Sequence, residues 1–259
     1  MLPREKILKG IESRETIARV IDLAEQAIRT WEVVLTDFLS PLELAETQQV
    51  FSRLTEVNIL AWGGYPQAER QRVAIACSEL LLEQCQVTIA AVNISGNFLF
   101  DTASHRDFLG AILDTGIIRG KIGDINLLGE RGAQAIFIPD LVGFLELNLK
   151  KVRSVTVKVE PINLSELKVQ EPRKKELTTV EASLRLDAIA SAGFGMSRSK
   201  MLGLITCGNV RVNWKEIIQA SSQIKSGDLI SIRGKGRLKV GNITVTKKER
   251  YRVQLTRYV

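Results

Sequence analysis

One histidine, His105, and three cysteines, Cys77, Cys85 and Cys207, are scattered through 259 residues. A single imidazole excludes a histidine-built metal site, so no metal or cofactor is expected. The cysteines stand at no paired spacing, which excludes a disulfide scaffold or a zinc ribbon. They lie in apolar runs, read as small core residues, and suit a reducing compartment: the cytoplasm, or the chloroplast stroma in a plastid lineage. No apolar run approaches the ~18–20 residues that span a bilayer, so no integral membrane insertion is expected. The first fifteen residues carry charges where a secretory leader needs an apolar stretch. Low complexity and internal repeats are also missing. What is present is an ordinary globular mixture, 45% hydrophobic and 25% charged, long enough for two or three small domains.

The charge is unevenly placed. The whole chain is at +7, but residues 1–86 carry 9 basic and 13 acidic side chains, residues 87–172 carry 9 and 10, and residues 173–259 carry 18 and 6. The basic excess therefore belongs to the last third, at +12, and that end is expected to meet a polyanion.

Apolar spacing predicts a helix over residues 3–30, with Ser13 as an internal cap and Ile17, Val20, Ile21, Ala24, Ala27 and Ile28 on one stripe. Ser40-Pro41-Leu42-Glu43 has the form of a capping box and predicts a helix to about Leu54. Strands follow at Val57–Trp62 and Arg72–Ala76. In the middle third, strands are expected at Val87–Ile94, Asp124–Leu128, Ala133–Ile138 and Arg153–Glu160. Helices are expected at Asp101–Asp114, with Phe108, Leu109, Ile112 and Leu113 inward, and at Pro139–Lys150. That order is the β-α-β-β-α-β of the ferredoxin-like split unit, shared by many RNA-recognition modules. Residues 161–182 read as a linker or linking strand. The last third predicts a helix from Leu184 to Ser191 stopped at Gly193, a helix from Ser197 to Cys207 stopped at Gly208, and several short strands. Gly241-Asn242 reads as a tight hairpin turn between strands 237–240 and 243–246, and Tyr251–Thr256 as an edge strand with a basic outer face.

The sharpest functional signal lies between Leu184 and Gly236. Ser197, Arg198, Ser199 and Lys200 sit at a predicted helix start, where unpaired amides and the helix dipole attract phosphate. Arg185 on the preceding helix can take a phosphate in two-point fashion. Arg211, Asn213 and Lys215 follow on the next strand and turn. Arg233, Lys235 and Arg237 surround two glycines that let the backbone approach a ligand, or that serve a hairpin turn needing positive φ. Any one of these cations can be a solvated surface charge; the cluster is what points to a polyanion. In the first third, Tyr65, Arg70 and Arg72 form a possible second footprint, the alternative being a hairpin loop with a satisfied Glu69–Arg70 pair.

Arg185-Leu186-Asp187, Ser197-Arg198, Gly208 through Asn213 and Gly227-Asp228 resemble, in order and spacing, the S-four RNA-binding domain over about 65 residues. The resemblance implies a helix-turn-helix surface and neighbouring strand that grip structured RNA, with Arg185, Ser197, Arg198, Ser199, Lys200, Arg211, Asn213 and Lys215 as contacts and Asp187 and Asp228 holding the fold. Trp214 departs from the glycine usual after Asn213; it either stacks on a base or is buried against the middle domain. Thr36 through Pro41, Gly63-Gly64-Tyr65 and Ala68-Glu69-Arg70 resemble the N-terminal module of the YlmH group, so that the similarity covers nearly the whole chain. Residues 212–216, 234–237 and 246–251 are most similar to its cyanobacterial and chloroplast branch, known as photosystem II S-four domain proteins.

The expected fold is α+β in three modules: a mainly helical one at 1–86, a ferredoxin-type, RRM-like one at 87–172, and the S-four-type domain at 173–259. No catalytic residue is identified. Asp101, Asp114 and Asp124 lie in a domain too small for a pseudouridine synthase. Asp101 with His105, four residues apart, reads as a capping aspartate beside a surface histidine. The expected function is non-enzymatic binding of structured RNA. The YlmH resemblance implies the large ribosomal subunit, its ribosomal RNA or its bound tRNA, in rescue or quality control of translation. The competing class is an assembly factor docked on photosystem II or the thylakoid surface. Oligomeric state is not legible.

Overall fold

A computed structural model describes residues 8–169 and 173–258. The chain divides into two compact units, residues 1–170 and 171–259. The start of the first expected helix, residues 3–7, lies outside the described residues.

In the N-terminal unit, α1 (Arg14–Thr30) buries Ile17, Val20, Ile21, Ala24 and Ala27, the stripe read from their spacing. Ser13 occupies the cap position but its side chain makes no cap bond. The carboxylate of Glu46, only 1% exposed, instead accepts from the amides of Glu12 and Ser13 at 2.9 and 3.0 Å. A distant acid thus satisfies two orphan donors at the positive end of the helix. After β1 (Val34–Leu35) comes α2 (Pro41–Phe51), which starts at the expected capping box. Ser40 Oγ accepts from the Glu43 amide, and the Ser40 amide donates back to Glu43 Oε2 at 2.7 Å. β2 (Val57–Trp62) and β3 (Arg72–Cys77) complete an antiparallel sheet in the order β1-β3-β2. Val57, Val73 and Ile75 of that sheet share a core with α1 and with Val50 and Phe51 of α2.

The second half of this unit begins with β4 (Ala90–Ser95) and α3 (His105–Asp114), which Ser104 and Asp107 open with a capping box of their own. Phe108 and Ile112 of α3 are buried, whereas Leu113 is 36% exposed and does not face inward. β5 (Ile122–Leu127), β6 (Gly132–Phe137) and α4 (Val142–Asn148) follow. The strand expected from Arg153 to Glu160 is broken. Arg153 turns at φ 55°, between β7 (Lys151–Val152) and β8 (Val155–Thr156), a two-stranded ribbon, and β9 (Lys158–Ile162) then joins the main sheet. That sheet runs β5-β6-β4-β9 with every neighbour antiparallel. Ile94, Phe98, Phe108, Ile112, Phe137 and Leu145 fill the space between it and its helices.

In the C-terminal unit the segment expected as a linker ends in β10 (Lys174–Glu181), which pairs along its full length with β15 (Tyr251–Tyr258). β15 is therefore an interior strand and not an edge. α5 (Leu186–Phe194) runs past Gly193 and stops at Gly195, in the left-handed conformation. Gly193 serves packing: a methyl there would lie 2.1 Å from Leu238 Cδ2. α6 (Arg198–Thr206), β11 (Val210–Val212), β12 (Lys215–Glu216), β13 (Leu229–Ile232) and β14 (Gly236–Val245) complete a sheet in the order β10-β15-β14-β13-β11-β12. Gly241-Asn242 is not a hairpin turn. β14 passes straight through it, with a register shift between Val240 and Ile243 against β15. A local pair of turn residues is here absorbed as a bulge because both flanking segments find the same partner strand. The core joins Leu186, Ile189, Phe194, Met201 and Ile205 to Val210, Ile230, Ile232, Leu238, Val253 and Leu255.

Of the three cysteines only Cys77 is buried; Cys85 and Cys207 are exposed, against the core reading. No helix among the described residues is long and apolar enough to cross a membrane.

Candidate nucleic-acid interface

The expected contact residues of the C-terminal unit fall into two groups. The first is the start of α6. Ser197 caps it, its Oγ accepting from the Lys200 amide at 3.4 Å, and Ser197 through Lys200 are all exposed. The first turn thus presents backbone donors and two cations to solvent, the arrangement that attracts an oxyanion. Two of the nearby arginines already hold carboxylates. Arg198 pairs with Glu181 at 3.2 Å. Arg185, at the N-cap of α5, donates through Nε and Nη2 to the two oxygens of Asp187 at 2.9 and 3.3 Å. That pairing raises the Arg185 pKa further above its ordinary value. The guanidinium groups are exposed while Glu181 and Asp187 are half-buried, so a phosphate at these arginines competes with a carboxylate already in place.

The second group lies on the sheet. Val210, Ile230, Ile232 and Leu238 are buried on its inner face. Side chains alternate along a strand, so Arg211, Ser231 and Arg237, which stand directly opposite one another on β11, β13 and β14, share the outer face. Glu216 of β12 continues this row beside Arg211. Lys215 pairs with Val212 and so lies on the face opposite to Arg211. Arg233 and Lys235 project from the exposed β13–β14 turn, where Gly234 and Gly236 take φ of 72° and 95°, as a hairpin turn of positive φ requires.

Asn213 is exposed, yet its side chain is hydrogen-bonded within the protein. Its Nδ2 donates to Asp228 Oδ1 at 2.8 Å and its Oδ1 accepts from the Leu229 amide at 2.9 Å. Asp228 also accepts from the Lys225 amide at 2.7 Å. The expected contact is thus a clasp between two turns, with Asp228 holding the fold. Trp214 is half-exposed, and the Arg237 guanidinium lies 4.9 Å over its ring. Trp214, Arg211, Arg233, Arg237, Ser231 and Glu216 line one concavity of about 650 Å³. Sequence reasoning missed Glu216; only its register opposite Arg211 brings it to this face.

The second footprint expected in the N-terminal unit has a different setting. Tyr65 donates to Asp124 Oδ2 at 2.7 Å, and the same carboxylate accepts from the amides of Glu69 and Arg70 at 2.7 and 3.1 Å. Arg70 donates to the carbonyls of Ile122, Phe38 and Arg119. Arg72, 8% exposed, donates to the carbonyls of Thr36 and Thr88. Burial lowers the pKa of both arginines and of Arg119, the last to about 10 with Arg70 close by. Burial and the Asp124 charge push the Tyr65 phenol up. These side chains tie the first sheet to the second half of the unit. Asp101 caps no helix: it accepts from Ser154 and pairs with Arg153 at 2.8 Å. Among the described residues no cluster of His, Cys, Asp and Glu is arranged to hold a metal.

Residues 12–80 match the family model described as "YlmH, N-terminal", and residues 83–166 match "Putative RNA-binding domain in YlmH". The chain is similar in fold to the cell division protein ylmH from Streptococcus pneumoniae, at TM-score 0.52 and 22% identity over 61% of this chain and 94% of that one. It is 32% identical over 250 residues to the ribosome-associated protein quality control protein P2 of Bacillus subtilis, covering 95% of each. With that relative aligned nearly end to end and two YlmH domains in succession, the chain belongs to the YlmH family.

Proposed function

We propose that this protein is a non-enzymatic binder of structured RNA that acts on the ribosome through its C-terminal unit. The observation that carries the reading is the outward placement of cations at the α6 start and on the outer sheet face, in a stretch, residues 173–259, of net +12. Family membership supports it, since the middle region matches a domain described as RNA-binding and one relative is named as ribosome-associated. The finer assignments follow the same line. Residues 173–259 are an S-four-type domain, supported by the capped α6 and the Asn213–Asp228 clasp. Residues 87–172 are an RRM-like module, supported by a sheet whose first strand lies between its third and fourth. The target is ribosomal RNA or ribosome-bound tRNA on the large subunit, in translation rescue or quality control, and the site of action is the cytoplasm or its plastid equivalent.

Mechanistically, the unit clamps phosphates. Arg198 and Lys200 act with the α6 amides, and Arg211, Arg233, Lys235 and Arg237 extend the field across the sheet. The test is co-sedimentation with ribosomes from a lysate, with and without nuclease, for the wild type and for R198E/K200E. Binding that needs intact RNA and is lost in the variant supports the reading. Retention on membranes after nuclease treatment would favour docking on an acidic partner or a thylakoid-type surface.

A further inference from the structure

The β11–β12 hairpin has an unusual occupant. Val212 pairs with Lys215, so Asn213 and Trp214 form the two-residue turn, with φ of 49° and 71°. Positive φ at both positions is the geometry that favours Asn-Gly, and it is unfavourable for a bulky side chain. Trp214 accepts that backbone without being taken into the core. Its ring remains half-exposed, lies under the Arg237 guanidinium, and forms a wall of the concavity that Arg211, Arg233, Ser231 and Glu216 also line. The volume, about 650 Å³, is in the range of sites that hold one small ligand.

Each wall has a chemical meaning. An aromatic ring stacks on any base, and arginines neutralise phosphate. Glu216 is a carboxylate on the outer-face row of arginines, and it accepts hydrogen bonds from base donors. Guanine offers two such donors side by side, N1–H and the N2 amino group, whereas uracil offers one.

We propose that this concavity is a pocket for a single unpaired nucleotide of the bound RNA, with the base against Trp214, its phosphates on Arg211 and Arg233, and a preference for guanine set by Glu216. The proposal rests on the RNA-binding reading above and deepens it.

The probe is an RNA hairpin carrying one bulged guanosine, compared with the same hairpin bulged with uridine and with its fully paired counterpart. Affinities are measured by fluorescence anisotropy with the full-length chain. The wild type should bind the bulged guanosine about tenfold more tightly than the paired hairpin, an effect of the size of one stacked base. W214G, which places in the turn the residue its backbone favours, should keep its circular dichroism and lose the bulge preference. W214F should retain part of it. E216Q should bind both bulges with similar affinity. Equal affinity of the wild type for all three hairpins, with R198E/K200E still losing all of them, would overturn the pocket and leave the RNA-binding reading standing. No binding of any hairpin by the wild type at low salt would overturn both.

Discussion

The two units use arginine in opposite ways. In the N-terminal unit Arg70 and Arg72 turn inward and donate to backbone carbonyls of distant segments, and Arg119 donates to the nearby carbonyls of Ile122 and Gly123. In the C-terminal unit Arg211 and Arg233 are exposed, and Arg185 and Arg198, exposed themselves, each hold a half-buried carboxylate. The guanidinium is the same group in each. What differs is its surroundings. Where cations do not outnumber anions and carbonyls are left unpaired at a junction, the fork of donors serves as a staple. Where eighteen cations meet six anions, most of the cations are exposed and face outward. Residue type alone therefore does not tell recognition from architecture.

The comparison can be broken most severely by reversing charge at the α6 start. R198E/K200E should weaken RNA binding by about a hundredfold or more, while the lost Arg198–Glu181 pair costs no more than about 1 kcal/mol in unfolding. The wild-type complex should lose orders of magnitude in affinity between about 50 and 200 mM salt. A salt-insensitive complex would sink the phosphate clamp. The converse experiment removes the acceptor in the N-terminal unit. D124A leaves Tyr65 and two amides without their carboxylate and should cost about 2–4 kcal/mol, read from urea unfolding with hydrogen exchange resolved to that unit. Its RNA affinity, measured where it remains folded, should stay within about twofold. A tenfold loss there would show that the N-terminal unit also touches RNA. G193A should push into Leu238 and destabilise the C-terminal unit by about 1–3 kcal/mol, without affecting exchange in the other. E46Q should have the smallest effect, about 1 kcal/mol at the start of α1, seen as faster exchange of the Glu12 and Ser13 amides.

What could be read from sequence was what neighbours decide. The Ser40–Glu43 box, the apolar stripe of α1 and the Ser197 cap involve residues within a few turns of one another. What could not be read depended on partners far along the chain. Arg70 reaches carbonyls 32 to 52 residues away, which no local pattern announces. Gly241-Asn242 carries turn chemistry, yet β15 makes it a bulge. Gly193 and Gly195 look alike in a string of small residues; one makes room for Leu238, from a strand more than forty residues on, and the other ends the helix in the left-handed conformation. The candidate site divides along the same line. The exposed cations of α6 were legible, whereas the engagement of Asn213 with Asp228 and the arrival of Glu216 beside Arg211 required the register of three strands.

The pairing of β10 with β15 has a consequence for how the C-terminal unit folds. Its first strand finds its partner far along the chain, Lys174 lying opposite Tyr258. Closing so long a loop is slow compared with forming local helices. α5 and α6 can therefore form before the sheet that carries the outer-face arginines is closed. β15 holds β10 on one side and β14 on the other, so it is the single strand through which both ends of the unit are joined. Deleting residues 251–258 should be as damaging to RNA binding as loss of the contact residues themselves.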